Sequence, residues 1–407
     1  MRAAHPLTPR ISSTLRRLTA LAATATLALT ISSCSIGESN DDPVISSLTA
    51  QEADATAPRN SKSDMDNDPL SSAVGTVSMI TSDENGKKGA VSGDMTTTVV
   101  SRERSTDKFQ WAVSIKPAVA DQERTEYADN AQSAMNNAMS RSSSGSAVIS
   151  PDGRYLSLIL LPAEQQTGAT AADLRTHIVV LDTTTGKTVR DATVSGIVLG
   201  QALTNSTLAV ETAQNYFPAG SGKGTIHVFS IKNSGAQSSS FSTDQWLIGA
   251  SGQDLLLAPD VPPYECTLYC APYTVTRRGT DGHTIATLPG VTAVHPGGWV
   301  SQYRDPKAAT SLVHTMHASS DNNDATKDAR QKLRMLPKQL VHIDTGQTTD
   351  TTDMFVDERS VPNGLGLVVY QDVSAENGST ERKPVFWLSA ADDGHRHTEN
   401  LEQFSTK

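Results

Sequence analysis

From residue 74 onward, short runs in which apolar and polar residues alternate are punctuated by Gly, Asn, Asp and Pro. That is the pattern of half-buried β-strands joined by tight turns. Two kinds of run recur. In the first, an alternating apolar strand enters a glycine turn: 177–186, 226–235, 273–282, 340–346 and 385–394, with turn glycines spaced 49, 47, 64 and 48 residues apart. In the second, roughly 30 residues earlier each time, a turn feeds a strand: 150–161, 205–210, 252–257, 296–300 and 362–369. Two independent markers sharing a period near 48 define an internal repeat. A polar insertion at 319–338 accounts for the single long step.

Four strands fit into 45–50 residues, the size of a β-propeller blade. The expected fold is therefore all-β, a propeller of six four-stranded blades, with seven as the alternative; a pair of β-sandwiches predicts no common period. A sixth unit falls at 90–117, around Thr96–Val100 and Phe109–Ile115. Its fourth strand is missing from its place, and the early strand Val74–Ile80 is expected to complete it. A helical insertion is expected at about 119–141, where Tyr127, Ala131, Ala134 and Ala138 fall near one face. The turn sequences Ser150-Pro-Asp-Gly-Arg-Tyr155 and Leu181-Asp-Thr-Thr-Thr-Gly-Lys-Thr-Val189 resemble those of WD40-like and quinoprotein-like propellers. The resemblance covers residues 74–404 and is strongest over 144–196. The Trp-Asp dipeptide of WD40 repeats and the quinoprotein docking signature are absent.

Upstream of the repeat the texture differs. Residues 1–33 carry Arg2, Arg10, Arg16 and Arg17, no acid, and the apolar run Leu18–Ile31, a charged region followed by a hydrophobic stretch too short to span a bilayer. It ends in Ile31-Ser-Ser-Cys34, which resembles the lipobox of bacterial lipoproteins. That resemblance implies removal of 1–33 as a signal peptide, acylation of Cys34 and a lipid-anchored protein on the extracytoplasmic side of the cell membrane. Two or three acyl chains, at about 0.8 kcal/mol per buried methylene, make such an anchor effectively permanent. Residues 34–73 are acidic, Ser-rich and nearly free of aromatics, and are expected to form a disordered tether with a reach of roughly 30–35 Å. The propeller domain then occupies 74–407. The Asp64, Asp66, Asp68 run lacks the glycine and glutamate that a calcium loop needs.

Charge and chemistry narrow the function by exclusion. Of 407 residues, 34 are basic and 44 acidic, a net charge of −10. Without the four arginines of 1–33 the chain stands at 30 against 44, or −14, which leaves no electrostatic footprint for nucleic acid. With Cys34 acylated, Cys266 and Cys270 remain, a pair expected to be oxidised to a disulfide outside the cytoplasm. Gly186-Lys-Thr188 lacks the first glycine of a P-loop, and no G-x-S-x-G or H-E-x-x-H occurs. His395 with His397, and His314 with His317, come without an evident third metal ligand. No metal or other cofactor is expected.

Length offers the remaining clue. In a four-stranded blade all connections from second to third strand emerge on one face, and here they are the long ones: 162–176, 211–224, 258–272, 304–339 and 372–383. Long loops on a rigid scaffold gather binding residues. Those loops and their entries carry Tyr216, Phe217, Tyr264, Tyr269, Tyr303, Arg304, Asp305, Tyr370 and Asp372, and solvated tyrosines make contact area at low entropic cost. The function expected is a non-enzymatic binding or scaffolding module whose long-loop face meets an envelope protein or a wall polymer. An extracytoplasmic glycan enzyme using channel-mouth carboxylates is the alternative.

Overall fold

A computed structural model describes residues 42–56, 69–82, 95–103, 106–120, 146–161, 175–213, 224–233, 235–258, 271–318, 324–362, 364–374, 380–390 and 394–404. The first sheet contains β1 (Val44–Leu48), β2 (Leu70–Ser71), β3 (Gly75–Ser82), β4 (Thr96–Glu103) and β5 (Phe109–Lys116), in the order β1-β5-β4-β3-β2, with helix α1 (Ala50–Thr56) after β1. The second holds β6 (Ala147–Ile149), β7 (Tyr155–Ile159), β8 (Arg175–Asp182) and β9 (Thr188–Ser195), side by side in chain order. The third repeats that plan with β10 (Ile197–Leu203), β11 (Thr207–Ala213), β12 (Gly224–Ser230) and β13 (Ser239–Thr243).

A seven-stranded sheet follows: β14 (Trp246–Ala250), β15 (Leu255–Ala258), β16 (Tyr273–Arg278), β17 (Thr284–His295), β18 (Trp299–Tyr303), β19 (Lys338–His342) and β20 (Thr348–Asp350). It consists of two four-stranded groups that share one strand. Residues 284–291 of β17 pair with β16, and residues 291–295 pair with β18. Gly290 sits at the changeover with φ 78°, and a Cβ there would lie 2.7 Å from the Tyr303 carbonyl oxygen, so only glycine fits. Between β18 and β19 lie two helices, α2 (Pro306–Ala318) and α3 (Asp324–Met335). The last sheet is β21 (Phe355–Val361), β22 (Gly364–Ser374), β23 (Thr380–Ser389) and β24 (Arg396–His397).

Every strand pair is antiparallel, and the inner strands are apolar on both faces because each sheet is sandwiched between neighbours. β7 and β10 are buried along their whole length. One apolar core runs from Tyr155 and Ile178 through Val210 and Trp246 to Val291 and Val300, crossing three sheets. Full burial of each such side chain stabilises the fold by about 1.5–3 kcal/mol.

Repeated turns fasten the sheets to one another. The hydroxyls of Ser72, Ser150, Thr204 and Ser251, each closing a first strand, accept the N–H of Gly75 (3.1 Å), Tyr155 (2.9 Å), Thr207 (3.0 Å) and Asp254 (2.9 Å). These turns then bond sideways. Ala73 N–H donates to Gly153 O (2.9 Å), Asp152 N–H to Asn205 Oδ1 (3.0 Å), Asn205 N–H to Gly252 O (3.1 Å) and Gly252 N–H to Asp344 Oδ2 (2.9 Å). Because β2 also touches β21 and β22, the succession of contacts returns to the first sheet. This is the architecture of a β-propeller.

Several expectations change. Part of the stretch read as tether is folded: β1 pairs with β5 from Val44↔Lys116 to Leu48↔Ala112, and α1 buries Ala53 against Val100 and Ala112. Val44, Ile45 and Leu48 are apolar, Ile45 and Leu48 pack on the sheet, and pairing along β5 satisfies the backbone of the strand. The first unit lacks no strand, since β2 to β5 form a full set of four, β3 overlapping the expected Val74–Ile80, and β1 adds a fifth outside. The polar insertion at 319–338 contains the helix α3, which pairs with α2 just before it. Val119 bridges Leu160 rather than starting a helix, and 121–141 lies outside the described residues.

Candidate functional site on the long-loop face

Antiparallel pairing sends the second-to-third connections and the links between sheets to one end of the strands, and the short hairpins to the other. Two elaborated elements of that long-loop end are described: the α2–α3 pair, and the β22–β23 hairpin running out to Ser374 and Thr380.

Local chemistry builds the helical pair. Asp305 caps α2, its Oδ1 accepting the Ala308 N–H at 3.0 Å, and Pro306 occupies the first helical position. Ala309, Val313 and Met316 of α2 meet Ala329 and Leu333 of α3 over the Tyr303 ring, forming a separate small core. The outer side of α3 carries Lys327 and Lys332, the latter 2.7 Å from Asp328 one turn back.

The base of α3 joins two sheets through charge. The Arg334 guanidinium pairs closely with Asp353, in the link between β20 and β21, and lies 3.8 Å from Asp372 on β22. Asp372 also meets Arg382 at 3.5 Å, and the Arg382 guanidinium stands 3.9 Å over the Phe355 ring. Lys338 lies 4.9 Å from the centre of the Tyr303 ring, and burial pulls its ammonium below the ordinary lysine range. Arg304 donates to Gln339 Oε1 (3.0 Å) and to Asp350 (3.2 Å). Together with Gln302, Pro289, Pro306, Thr348 and Tyr303 it lines a cleft of about 470 Å³.

The structure thus distributes the predicted residues unevenly. Arg304, Asp305 and Asp372 lie on the long-loop face in positioned roles. Tyr303 and Tyr370 are not solvated contact residues. They are 6% and 2% exposed; burial pushes the Tyr303 hydroxyl up to about 12, and the Tyr370 hydroxyl donates to Phe404 O at 3.2 Å. Each ring is large enough to seal its own unit, which is why apolar packing takes precedence over display. Tyr216, Phe217, Tyr264, Tyr269, Cys266, Cys270 and Cys34 lie outside the described residues. Sequence reasoning missed Arg334 and Asp353, for nothing local signals a contact between a helix and a link 19 residues downstream.

A different carboxyl bears on the enzymatic alternative. Glu211 on β11 is fully buried, and burial raises its pKa to about 8. Its Oε2 accepts the Leu247 N–H at 2.7 Å, while Oε1 has no hydrogen-bond partner. It is the only buried carboxyl among the described residues. No group of three or more potential metal ligands occurs among those residues either.

No family model matches the chain, and no curated protein matches it. Among solved structures it is similar to an acylaminoacyl peptidase from Pyrococcus horikoshii (14% identity over 81% of this chain and 45% of that one, TM-score 0.39). It is also similar to the β-propeller domain of the trilobed protease from Pyrococcus furiosus (12%, 81% and 92%, TM-score 0.37) and to BamB from Moraxella catarrhalis (10%, 82% and 87%, TM-score 0.31). The chain spans about 45% of the length of the peptidase it matches. At these scores the propeller assignment rests on the sheet order and the contacts between sheets, and the chain is a β-propeller protein by that architecture.

Proposed function

We propose that this chain is an extracytoplasmic binding and scaffolding propeller, anchored in the cell membrane through acyl chains on Cys34, whose long-loop face docks an envelope protein. Counting the seven-stranded sheet as two, it has six blades. The observation that carries the reading is the α2–α3 pair. A four-stranded blade does not need a helical pair with a core of its own, so the pair between β18 and β19 is an addition to the scaffold. Its position, locked by Arg334 to Asp353 and Asp372, keeps the outer helical surface fixed relative to two units, as a pre-organised contact surface should be. A glycan hydrolase working through paired carboxylates needs acids open to substrate, whereas Glu211 is fully buried between two sheets against the Leu247 amide.

The test is photo-crosslinking in intact cells from Lys327 and Lys332, with Lys232 on the opposite face as control. The expected result is a discrete protein adduct from the two α3 positions alone. Equal adducts from both faces, or none from α3, would sink the reading. Cys34→Ala is expected to move the protein from the membrane to the soluble fraction, and continued lipid labelling would show that the anchor lies elsewhere.

A further inference from the structure

The place where the chain enters the first sheet bears on which way the propeller faces. β1 is the outermost strand, and its first residue, Val44, pairs with Lys116, the last residue of β5. In that sheet the β2–β3 turn and the hairpin between β4 and β5 lie at the short-turn end. Ala73 bonds there to the Ser150–Tyr155 turn, and Arg102, at the end of β4, holds Asp54 of α1 there. The far end of β5, where Lys116 sits, is therefore the long-loop end. The polypeptide arriving from Cys34 joins the propeller at the rim of the long-loop face, and Val44, 63% exposed, marks the spot.

Covalent length does the rest. Eight residue steps separate Cys34 from Asp42, the first described residue. Fully extended they span no more than about 28 Å. A sheet whose strands are eight residues long, like β3, β4 and β5, is about 24 Å deep. To put the short-turn face against the bilayer, the leash would have to run the whole depth of the sheet and would have almost nothing left. To put the long-loop face there, it needs to run nowhere.

We infer that the long-loop face, carrying the α2–α3 pair, is turned toward the bilayer that holds the acyl chains, and that the short-turn face looks outward. The inference rests on acylation of Cys34 as proposed above. It also narrows the partner. A protein that engages the long-loop face is embedded in the same membrane, because a wall polymer or a freely diffusing protein would have to enter a gap no taller than the leash.

Full-chain, acylated protein reconstituted in vesicles of phosphatidylethanolamine and phosphatidylglycerol with a headgroup-bound quencher tests this. A dye is placed at Lys327 on α3 or, in a separate preparation, at Lys232 in the hairpin after β12. Quenching is expected to be severalfold stronger at 327 than at 232. Equal quenching, or stronger quenching at 232, overturns the orientation. A Gly/Ser insertion of about 20 residues after Glu38 lets the leash reach past the sheet, and is expected to abolish the difference. A difference that survives the insertion overturns the leash as its origin. Flotation separates the two proposals. Protein that fails to float with the vesicles defeats the anchor, whereas protein that floats with the wrong face quenched defeats only the orientation.

Discussion

Glu211 shows how one residue sets a pH dependence. It stands in an apolar seam with Ala209, Ile226, Leu247 and Leu257 nearby, and a Cβ on Gly224 would come within 2.7 Å of its Oε1, so the missing side chain at 224 is what makes room for the acid. Its pKa of about 8 against an ordinary 4.5 means that the folded state holds a proton the unfolded chain has released. Stability from this group is complete below about pH 4.5 and is lost as pH rises toward and through 8. Glu211→Gln keeps the shape and removes the ionisation. The variant is expected to match the wild type near pH 4.5 and to exceed it at pH 9 by on the order of a few kcal/mol. Urea unfolding at both pH values measures this, and a difference that does not change with pH would refute it. None of this was visible in the sequence, where Glu211 is one acid among many. The long-loop tyrosines were visible, but composition cannot tell a displayed ring from one that closes a core, and Tyr303 and Tyr370 do the latter.

Elements were legible where periodicity and turn chemistry agreed. The strands β8, β12, β16, β19 and β23 fall where the first repeat marker puts them; at Gly186, Gly282, Gly346 and Gly394 this is because a turn that needs a left-handed residue leaves a glycine behind, as Gly186 does at φ 69° beneath the Trp111 indole. The helical pair was present as Ala309, Val313, Met316 and Thr326, Ala329, Leu333, both at helical spacing, and as Asp305-Pro306 at a helix start. Its polar outer faces made it read as a loop. β1 was concealed for a different reason: it belongs to no repeat. The sign that 44–56 folds was the capping box Thr49-x-x-Glu52, in which the Thr49 N–H donates to Glu52 at 2.8 Å. Two deletions follow at this scale. Replacing 306–335 by a short Gly/Ser turn is expected to leave the thermal midpoint within a few degrees of wild type, since the pair has a small core of its own. Global unfolding would mean the helices belong to the main core. A chain beginning at Pro69 is expected to unfold cooperatively, since β2 to β5 remain, but at a lower temperature and with a tendency to associate through the bared edge of β5. Calorimetry and light scattering check both, and an unchanged midpoint would show that β1 contributes nothing.

At the scale of the whole molecule, stability depends on the succession of contacts being closed. Arg277 illustrates the coupling: it donates to Asp254 (2.6 Å), to the Ile343 carbonyl (2.8 Å) and to Asp344 (3.2 Å), tying the turn after β14 to the hairpin after β19. A chain ending at Asp353 lacks the last sheet and bares both the β2 side of the first sheet and the Trp299 side of the fourth. It is expected to lose the single cooperative transition and to melt over a broad range, and a sharp transition near the wild-type midpoint would show that closure is dispensable. The repeat was readable at this scale because five units repeat both turn markers. The fusion of two units through β17 was not, since the period counts turns and is blind to which strand bonds to which.

That fusion has a mechanical side. Most neighbouring sheets are joined by chain that can act as a hinge, even if only the single residue Gly196 between β9 and β10. The two groups that share β17 have no such joint, because one twelve-residue strand is hydrogen-bonded into both. Under tension applied at two points on the rim, these groups resist as a single stiff panel. Give in the ring is displaced to the other seams, and the helical pair, mounted on that panel, stays steady while the rest flexes.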